Sequence, residues 1–261
     1  MTFSIIGSGN IAWFFGKRLA AGGHQCKGVY GRNATAVKEL ADGLLSNRFG
    51  TISDIRDEDA DVCFLAVSDA SIEEVAKQLH FKKTILVHMS GAQPLDIIKD
   101  AAKDHAVLWP VYSILKNNTP GHREIPIAWE VSSDRAKRFV LEMGHAITDN
   151  LFEAKDAQRK WLHLSAVMTN NFINHLLAIN EQICKENNLP ASTLQPMIAQ
   201  TFERVKSSSP KAVQTGPAIR QDVTTIEQHK VLLADHPELL KVYEALTESI
   251  QAMHHQPKAL S

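Results

Sequence analysis

The chain opens with the stretch Phe3-Ser4-Ile5-Ile6-Gly7-Ser8-Gly9-Asn10-Ile11-Ala12. A short strand-like segment runs into a pair of glycines, and a segment compatible with a helix, residues 11–21, follows at once. Gly7 permits a sharp turn out of the strand, Gly9 lets the backbone approach a phosphate, and Ala12 lets the helix pack closely on the strand. The N-terminus of the helix offers N–H groups and a positive dipole end to an anion. We therefore predict that a dinucleotide is bound by Gly7, Ser8, Gly9, Asn10, Ile11 and Ala12. A glycine-rich structural turn without a ligand is the alternative.

Composition and charge limit the class of protein. Of the 261 residues, 44% are apolar and 22% are charged, which is typical of a globular protein with a substantial core. The net charge of −1 gives no electrostatic reason to expect a nucleic acid or a membrane as partner. The three cysteines and twelve histidines lack the spacing of a disulfide framework or a metal site, and no signal peptide or bilayer-spanning run is recognisable. We expect a cytoplasmic protein without a metal.

Residues 1–110 alternate short apolar runs with amphipathic segments, which predicts βαβ units and a parallel sheet. The predicted strands are Phe3–Ile6, Gln25–Tyr30, Val62–Val67, Thr84–His88 and Ala106–Trp109. The predicted helices between them are Ile11–Ala21, Ala34–Asp42, Ser71–Leu79 and Leu95–Ala102. Because such crossovers are almost always right-handed, the fold class is α/β with a doubly wound, Rossmann-like parallel sheet.

The pattern changes twice after residue 110. Prolines and a glycine first interrupt it, and we predict two further strands, Ile125–Val131 and His145–Thr148, with a helix at Asp134–Met143 between them. Long helices follow at Ala154–Asn187, Thr193–Lys206, Val223–Leu233 and Pro237–Met253. We therefore predict a dinucleotide-binding domain at residues 1–150 and an all-helical domain at residues 151–261.

The ends of three predicted strands supply further candidates for binding the cofactor. These candidates are Gly31, Arg32 and Asn33, then Ala66, Val67 and Ser68, and finally Ser90 and Gly91. An acidic residue after the second strand favours NAD, whereas a basic residue accommodates the 2′-phosphate of NADP. Arg32 stands at this position, and its guanidinium suits a phosphate, so we predict NADP, with NAD possible. A solvated surface arginine is the alternative.

Two side chains near residue 90 are candidates for chemistry. The hydroxyl of Ser90 follows a strand and can hold the nicotinamide amide or a substrate oxygen. His88 is either a proton carrier or a hydrogen-bonded packing residue of the strand.

The first long helix carries a polar stripe. His163 lies seven residues before Asn170 and eight before Asn171, so these side chains share one face, whereas Ser165 points elsewhere. The stripe either lines an active-site cleft, with His163 as general acid and Asn171 orienting a substrate oxygen, or forms a hydrogen-bonded seam between helices or subunits. The phase of the helix leaves open which of the two asparagines faces the cleft.

The loop from Gln214 to Asp222 is the other unusual segment. Gly216 and Pro217 predict a tight turn, Arg220 can bind a carboxylate, and Asp222 can cap the next helix. An ordinary loop between helices with an Arg–Asp pair is the alternative.

Four segments together resemble a known family. These segments are Gly7–Ala12, Ala66–Asp69, His88–Ala92 and Thr215–Asp222. They resemble Rossmann-like proteins with a C-terminal domain of unknown function, a family of NADP- or deazaflavin-linked oxidoreductases. They are more distantly similar to pyrroline-5-carboxylate reductase and ketopantoate reductase. The resemblance implies a nicotinamide site, a helical domain that often forms dimers, and a cleft walled by the His163 helix and the Thr215 loop. A His–Pro pair of that family is replaced here by Trp109-Pro110, so the role of that histidine does not carry over.

We therefore interpret the chain as an NADP-dependent oxidoreductase that transfers hydride between nicotinamide and a C=O or C=N bond. The catalytic candidates are His163, Asn171 and Ser90, and the substrate-binding candidates are Thr215 and Arg220. A homodimer through the helical domain is expected. The alternatives are a redox sensor or scaffold that binds the dinucleotide without turnover, and a protein that binds another nucleotide or a flavin.

Overall fold

The computed structural model describes residues 1–116 and 120–255. By their contacts the residues divide into one compact unit, Met1–Phe172, and a second, Ile173–Ser261. The first unit extends beyond the predicted boundary at residue 150 because Phe152 and Leu162 pack against the sheet.

Among the described residues, eight strands form one sheet. The strands are β1 (Thr2–Ile6), β2 (Gln25–Tyr30), β3 (Phe49–Gly50), β4 (Val62–Leu65), β5 (Ile85–His88), β6 (His105–Pro110), β7 (Ile127–Val131) and β8 (Leu151–Glu153). Their order is β3-β2-β1-β4-β5-β6-β7-β8, and neighbouring strands are parallel except for the antiparallel pair β6 and β7. This arrangement confirms the predicted Rossmann-like α/β fold.

Helices cover both faces of the sheet. In the first unit they are α1 (Asn10–Ala21), α2 (Ala34–Gly43), α3 (Ile72–Ala76), α4 (Asp134–Ile147) and α5 (Asp156–Ala166). Because successive residues of a strand point to opposite faces, Phe3 and Ile5 pack in one core with Phe15 of α1. Ile6, the next residue of β1, packs in the other core with Ile72 of α3.

Two sequence predictions in this unit are wrong. The predicted helix Leu95–Ala102 is only a short 3₁₀ turn, Leu95–Ile98. The predicted strand His145–Thr148 lies mostly in α4, which ends at Ile147. Val140, Met143 and Ile147 are all buried, and their spacing of three and four residues is that of a helix face.

The predicted single helix Ala154–Asn187 is interrupted. After α5, residues Val167–Asn171 form a π turn in which the N–H of Phe172 donates to the carbonyl oxygen of Val167, five residues earlier. Helix α6 (Phe172–Glu186) then follows. The interruption matters because it changes which side chains after His163 share a face.

The regular secondary structure of the second unit's described part is helical, as predicted. Besides α6, it contains α7 (Gln195–Ser207), α8 (Val223–Leu232) and α9 (Pro237–His255). Within residues 173–255, the buried apolar side chains are Cys184, Ala218 and Ile226. None of the helices that the structure describes is both long and apolar enough to cross a membrane. The expected cytoplasmic location stays a prediction.

Candidate functional site

The glycine turn after β1 has the geometry that its sequence predicts. Gly7 has a φ of +116°, and its N–H donates to the carbonyl oxygen of Tyr30 over 2.8 Å. A Cβ at Gly7 would lie 2.2 Å from the carbonyl oxygen of Ala66. Only glycine fits this position, because its φ is unfavourable for other residues and there is no room for a side chain.

The start of α1 is open to a ligand. Gly9 is the N-cap residue, and within the described chain no side chain caps this helix. A Cβ at Gly9 would meet no atom within 4 Å, so the backbone here borders empty space. The first N–H groups of the helix therefore face a region that an anion can enter.

Two neighbours of this turn have structural roles. Ala12 is completely buried in the core between the helix and the sheet, as its predicted packing role requires. The side-chain oxygen of Asn10 accepts a hydrogen bond from the N–H of Lys116 over 3.1 Å. Asn10 therefore ties the turn to the segment that follows β6.

A cavity of about 550 Å³ lies where β1, β2 and β4 end; we call it the glycine-turn cavity. It is lined by Ile6, Gly7, Ser8, Gly9, Gly31, Arg32, Asn33, Ile52, Ala66, Val67, Ser68, Ser71, Glu74, Val75 and Gln78. The predicted residues after β2 and β4 thus meet the glycine turn in one place. Asn10, Ile11, Ala12, Ser90 and Gly91 are not among the residues lining it.

Two side chains after β2 have different roles at this cavity. Asn33 caps α2, because its side-chain oxygen accepts the N–H of Ala36 over 3.1 Å. Arg32 is exposed at the cavity and brings it a positive charge.

Sequence analysis did not single out Glu74 and Gln78, which also line the cavity. A signal was present, because Ser71, Glu74, Val75 and Gln78 are spaced as one face of a helix. The helix α3 and the turns on either side of it place this face on the cavity.

His88 is a packing residue. It is completely buried, and its Nδ1 accepts the N–H of Ser90 over 3.3 Å. Burial, together with the positive charge of Arg159, lowers the pKa of His88 to about 3. Its imidazole is therefore neutral near pH 7, which fits the packing alternative.

The hydroxyl of Ser90 is already engaged. Its oxygen accepts the N–H groups of Ala92 over 3.2 Å and of Gln93 over 3.1 Å. Ser90 thus shapes the turn after β5, and its catalytic role stays a prediction.

Trp109 fills the space between the end of β5 and α5. A Cβ at Gly91 would lie 2.4 Å from the indole, so the ring packs directly on the glycine backbone. The imidazole of His163 also lies beside this indole, with ring centroids 5.8 Å apart. Trp109 therefore connects the two segments from which the catalytic candidates come.

A second cavity, of about 620 Å³, lies between the end of β6 and α5; we call it the His163 cavity. It is lined by Trp109, Pro110, Val111, Tyr112, Ser113, Leu162, His163, Ser165, Ala166, Val167, Thr169, Asn170 and Asn171. Both asparagines line it, which answers the question that helix phase had left open. Ser165 also lines this cavity, although its spacing from His163 predicts a different face of the helix.

The π turn supplies the later part of this lining, namely Val167, Thr169, Asn170 and Asn171. The carbonyl oxygen of Ser165 accepts the hydroxyl of Thr169 over 2.9 Å. The hydroxyl of Ser165 in turn donates to the carbonyl oxygen of Trp161 over 2.9 Å.

Arg159 anchors the helix that carries His163. It is completely buried, donates to the carboxylate of Glu130, and reaches the carbonyl oxygens of Ala154 over 3.1 Å and Gln93 over 3.2 Å. These bonds join α5 to β7, to the end of β8 and to the turn after β5. Sequence analysis missed Arg159, because an arginine on a helix is ordinarily a surface residue.

The loop before α8 lies in the second unit. Gly216 has a φ of +109°, which fits the predicted tight turn. Asp222 caps α8 as predicted, accepting the N–H and the hydroxyl of Thr225 over 3.1 and 2.8 Å. These bonds hold the pKa of Asp222 below its usual range. Thr215 and Arg220 are exposed, and their substrate-binding role stays a prediction.

Within residues 1–116 and 120–255, no group of three or more His, Cys, Asp or Glu side chains could hold a metal ion.

Segments of both units match known protein families. Residues 2–91 match the family described as NADP oxidoreductase, coenzyme F420-dependent, and residues 125–250 match a domain of unknown function, DUF2520. A solved structure of a candidate NADP oxidoreductase from Bacteroides fragilis is 30% identical in sequence. The alignment covers 96% of this chain and 97% of that one, with a TM-score of 0.87. The chain belongs to this family of NADP oxidoreductases. The prediction of an NADP-type oxidoreductase is therefore confirmed at the level of the family.

Two pyrroline carboxylate reductases of lower identity share the fold. A 1-pyrroline-5-carboxylate reductase from Streptococcus pyogenes is 16% identical, with 97% of this chain and 98% of that chain covered and a TM-score of 0.62. A pyrroline carboxylate reductase from Plasmodium falciparum, solved with NADP bound, is 14% identical over 97% and 98% of the chains, with a TM-score of 0.54. No curated protein sequence matches the chain.

Proposed function

We propose that this oxidoreductase binds NADP at the glycine-turn cavity and reduces, or forms by oxidation, a C=O or C=N bond of a small substrate. The substrate occupies the His163 cavity. The observation that carries the proposal is that His163 and the amides of Asn170 and Asn171 line one cavity. A proton donor and neutral hydrogen-bonding groups are what such a substrate needs from the protein.

Several features of the glycine-turn cavity support NADP. The space beside Gly9 and the start of α1 suit a pyrophosphate. Arg32, after β2, supplies a positive charge where a 2′-phosphate distinguishes NADP from NAD. Its planar guanidinium is suited to a bidentate phosphate contact.

The chemistry divides between cofactor and chain. A bound nicotinamide supplies or accepts the hydride. In the direction of reduction, His163 gives a proton to the substrate oxygen or nitrogen, and in oxidation it takes that proton back. Asn171 orients the same substrate atom by a hydrogen bond. Trp109 packs beside the imidazole of His163, so the substrate must approach that imidazole from another side.

The helical part of the chain is proposed to form a homodimer. On α5 and the π turn, Trp161 is 72% exposed, and Leu164 and Met168 are also exposed. The second unit likewise leaves large apolar side chains such as Phe202 and Leu232 in contact with solvent. A second copy of the chain would cover these surfaces, and exposed apolar patches often mark such interfaces. Thr215 and Arg220 are proposed to hold an anionic end of the substrate.

A ligand titration followed by an activity screen tests the proposal. NADPH, NADH and a reduced deazaflavin are titrated separately, with melting temperature and fluorescence as readouts, because a bound ligand stabilises the folded state. We expect NADPH to give the largest shift. Oxidation of NADPH is then followed with a panel of ketones, aldehydes and cyclic imines.

Each outcome has a distinct meaning. Turnover of a carbonyl or imine substrate supports the proposal. Tight NADPH binding without turnover of any substrate would instead favour the sensor or scaffold. A shift with the deazaflavin alone would contradict the assignment of NADP.

A further inference from the structure

One wall of the glycine-turn cavity is left unexplained by phosphate binding. It is formed by Glu74, Val75 and Gln78, which come from α3 and the turn after it. A pyrophosphate needs the glycine turn and the start of α1, and a 2′-phosphate needs Arg32. In a dinucleotide bound here, this remaining wall would face a part other than the phosphates.

This wall offers apolar surface for a flat ring. Val75 is buried, and Ile52, from the segment after β3, is partly buried; both line the cavity. Branched aliphatic side chains of this kind make a slot for an aromatic base, because apolar contact favours burial of the ring faces.

The same wall offers polar groups for the edge of the base. One N–H of the Gln78 amide donates to the backbone carbonyl oxygen of Glu74 over 3.2 Å, which leaves its other N–H and its oxygen to bind a ligand. Glu74 lines the cavity and is an exposed residue, whereas the neighbouring Glu73 pairs with Lys77 over 2.7 Å. The wall therefore presents two acceptors and one donor.

We propose that Gln78 and Glu74 recognise the amine edge of an adenine base, and so make this site selective for adenine dinucleotides. An amide matches adenine, because its oxygen accepts from the exocyclic amine while its N–H donates to an adjacent ring nitrogen. A carboxylate also accepts from an exocyclic amine and is repelled by a carbonyl oxygen at the same position. The inference rests on the proposed function, since it requires the dinucleotide to lie in this cavity.

The test compares two dinucleotides that differ only at this edge. In the hypoxanthine analogue of NADPH, a carbonyl oxygen replaces the amine of adenine. Dissociation constants of both are measured by fluorescence titration with the full-length protein. We expect the wild-type protein to bind NADPH on the order of tenfold more tightly than the analogue.

Variants locate the preference. Gln78→Met keeps the size of the side chain and removes the amide, and Glu74→Gln removes the charge. We expect either change to reduce the preference to about threefold or less, mainly by weakening the binding of NADPH. Glu73→Gln is the matched control, because Glu73 lies on the same helix and pairs with Lys77 outside the cavity lining. This control should keep the wild-type preference.

The outcomes separate this inference from the proposed function. Equal binding of the two dinucleotides by the wild-type protein overturns adenine recognition and leaves NADP binding intact. A full preference retained in both Gln78→Met and Glu74→Gln overturns the assignment to these residues. Failure of the wild-type protein to bind either dinucleotide overturns both proposals. Melting curves verify that each variant is folded, and Gln78→Ala replaces Gln78→Met if that variant is not.

Discussion

The imidazole of His163 lies beside the indole of Trp109, with the ring centroids 5.8 Å apart and the planes inclined by 47°. The indole in turn packs on the backbone of Gly91. Contacts therefore run without interruption from the turn after β5 to α5. The position of the proposed proton donor depends on a residue that lies in the sheet and on a glycine that makes room for it.

Replacing His163 separates chemistry from cofactor binding. We expect His163→Gln to reduce turnover by about 100-fold or more, because general acid catalysis is lost. NADPH affinity should stay within about twofold, since His163 does not line the glycine-turn cavity. Turnover is measured with the best substrate from the carbonyl and imine panel, and NADPH affinity is measured by fluorescence titration. His145→Gln, at an exposed position on α4, is the control. Undiminished turnover in His163→Gln would show that the proton comes from elsewhere.

Adding a methyl group at Gly91 tests the packing of Trp109. Because the new Cβ would lie 2.4 Å from the indole, the ring must move. We expect Gly91→Ala to lower the free energy of unfolding by about 1–3 kcal/mol, as overpacking does. Urea denaturation measures this. Gly121→Ala should change stability little, because a Cβ there meets no atom within 4 Å. Equal stabilities of the two variants would contradict the tight contact.

The two glycines of the first turn should respond differently to alanine. In Gly7→Ala, a positive φ and a clash with Ala66 should destabilise the fold by several kcal/mol, on the order of 3 or more. In Gly9→Ala, the methyl group enters open space, so the melting temperature should be nearly unchanged. NADPH binding should nevertheless weaken, because the methyl group stands where a phosphate approaches. Wild-type affinity in Gly9→Ala would place the pyrophosphate elsewhere.

Arg32 should discriminate between the two nicotinamide dinucleotides. Loss of a charge-assisted contact to the 2′-phosphate costs about 1.5–3 kcal/mol, so Arg32→Ala should weaken NADPH binding by about 10- to 100-fold. NADH, which lacks that phosphate, should be affected much less. Calorimetric titration measures both, with the exposed Arg138→Ala as a control for net charge. Equal losses of affinity for NADPH and NADH would contradict a contact between Arg32 and the 2′-phosphate.

His88 should make stability depend on pH. In the unfolded chain it binds a proton below about pH 6.5, whereas in the folded chain it stays neutral to about pH 3. The unfolded state thus binds more protons between these values, and the free energy of unfolding falls as the pH falls through this window.

From pH 7 to pH 5, His88 should account for a loss of roughly 2 kcal/mol. Urea denaturation of the wild type and of His88→Gln at both pH values measures it. We expect the variant to lose less stability on acidification, whereas His80→Gln, at an exposed position, should behave as the wild type does. If the wild type, His88→Gln and His80→Gln all lose the same free energy of unfolding on acidification, another group is responsible.

The sequence predicts those features that follow from short local patterns. The glycine turn at Gly7 and the apolar strands have backbone requirements that only certain residues meet, and these were located within a few residues. The cap at Asp222 is local in the same way.

Features that depend on contacts between distant segments were not predictable. The burial of Arg159 requires Glu130 and the carbonyl of Gln93, which lie far away in sequence. The strand predicted at His145–Thr148 was wrong because a short apolar stretch fits a strand and a buried helix end equally well. The π turn leaves no mark in hydrophobic periodicity, so the break in the predicted helix Ala154–Asn187 could not be assigned.

The π turn between α5 and α6 also bears on how such a site can diversify. Residues 167–171 contain one residue more than an α-helical path would need. Deleting a single residue there would restore continuous α-helical bonding and keep the orientation of the helices on either side, so that only the side chains within the turn are rearranged. A change in chain length of one residue can therefore exchange the amide groups that meet a substrate, while His163 and every strand keep their places. Insertion or deletion of one residue in this turn is thus a second route, besides substitution, by which the lining of the His163 cavity can change.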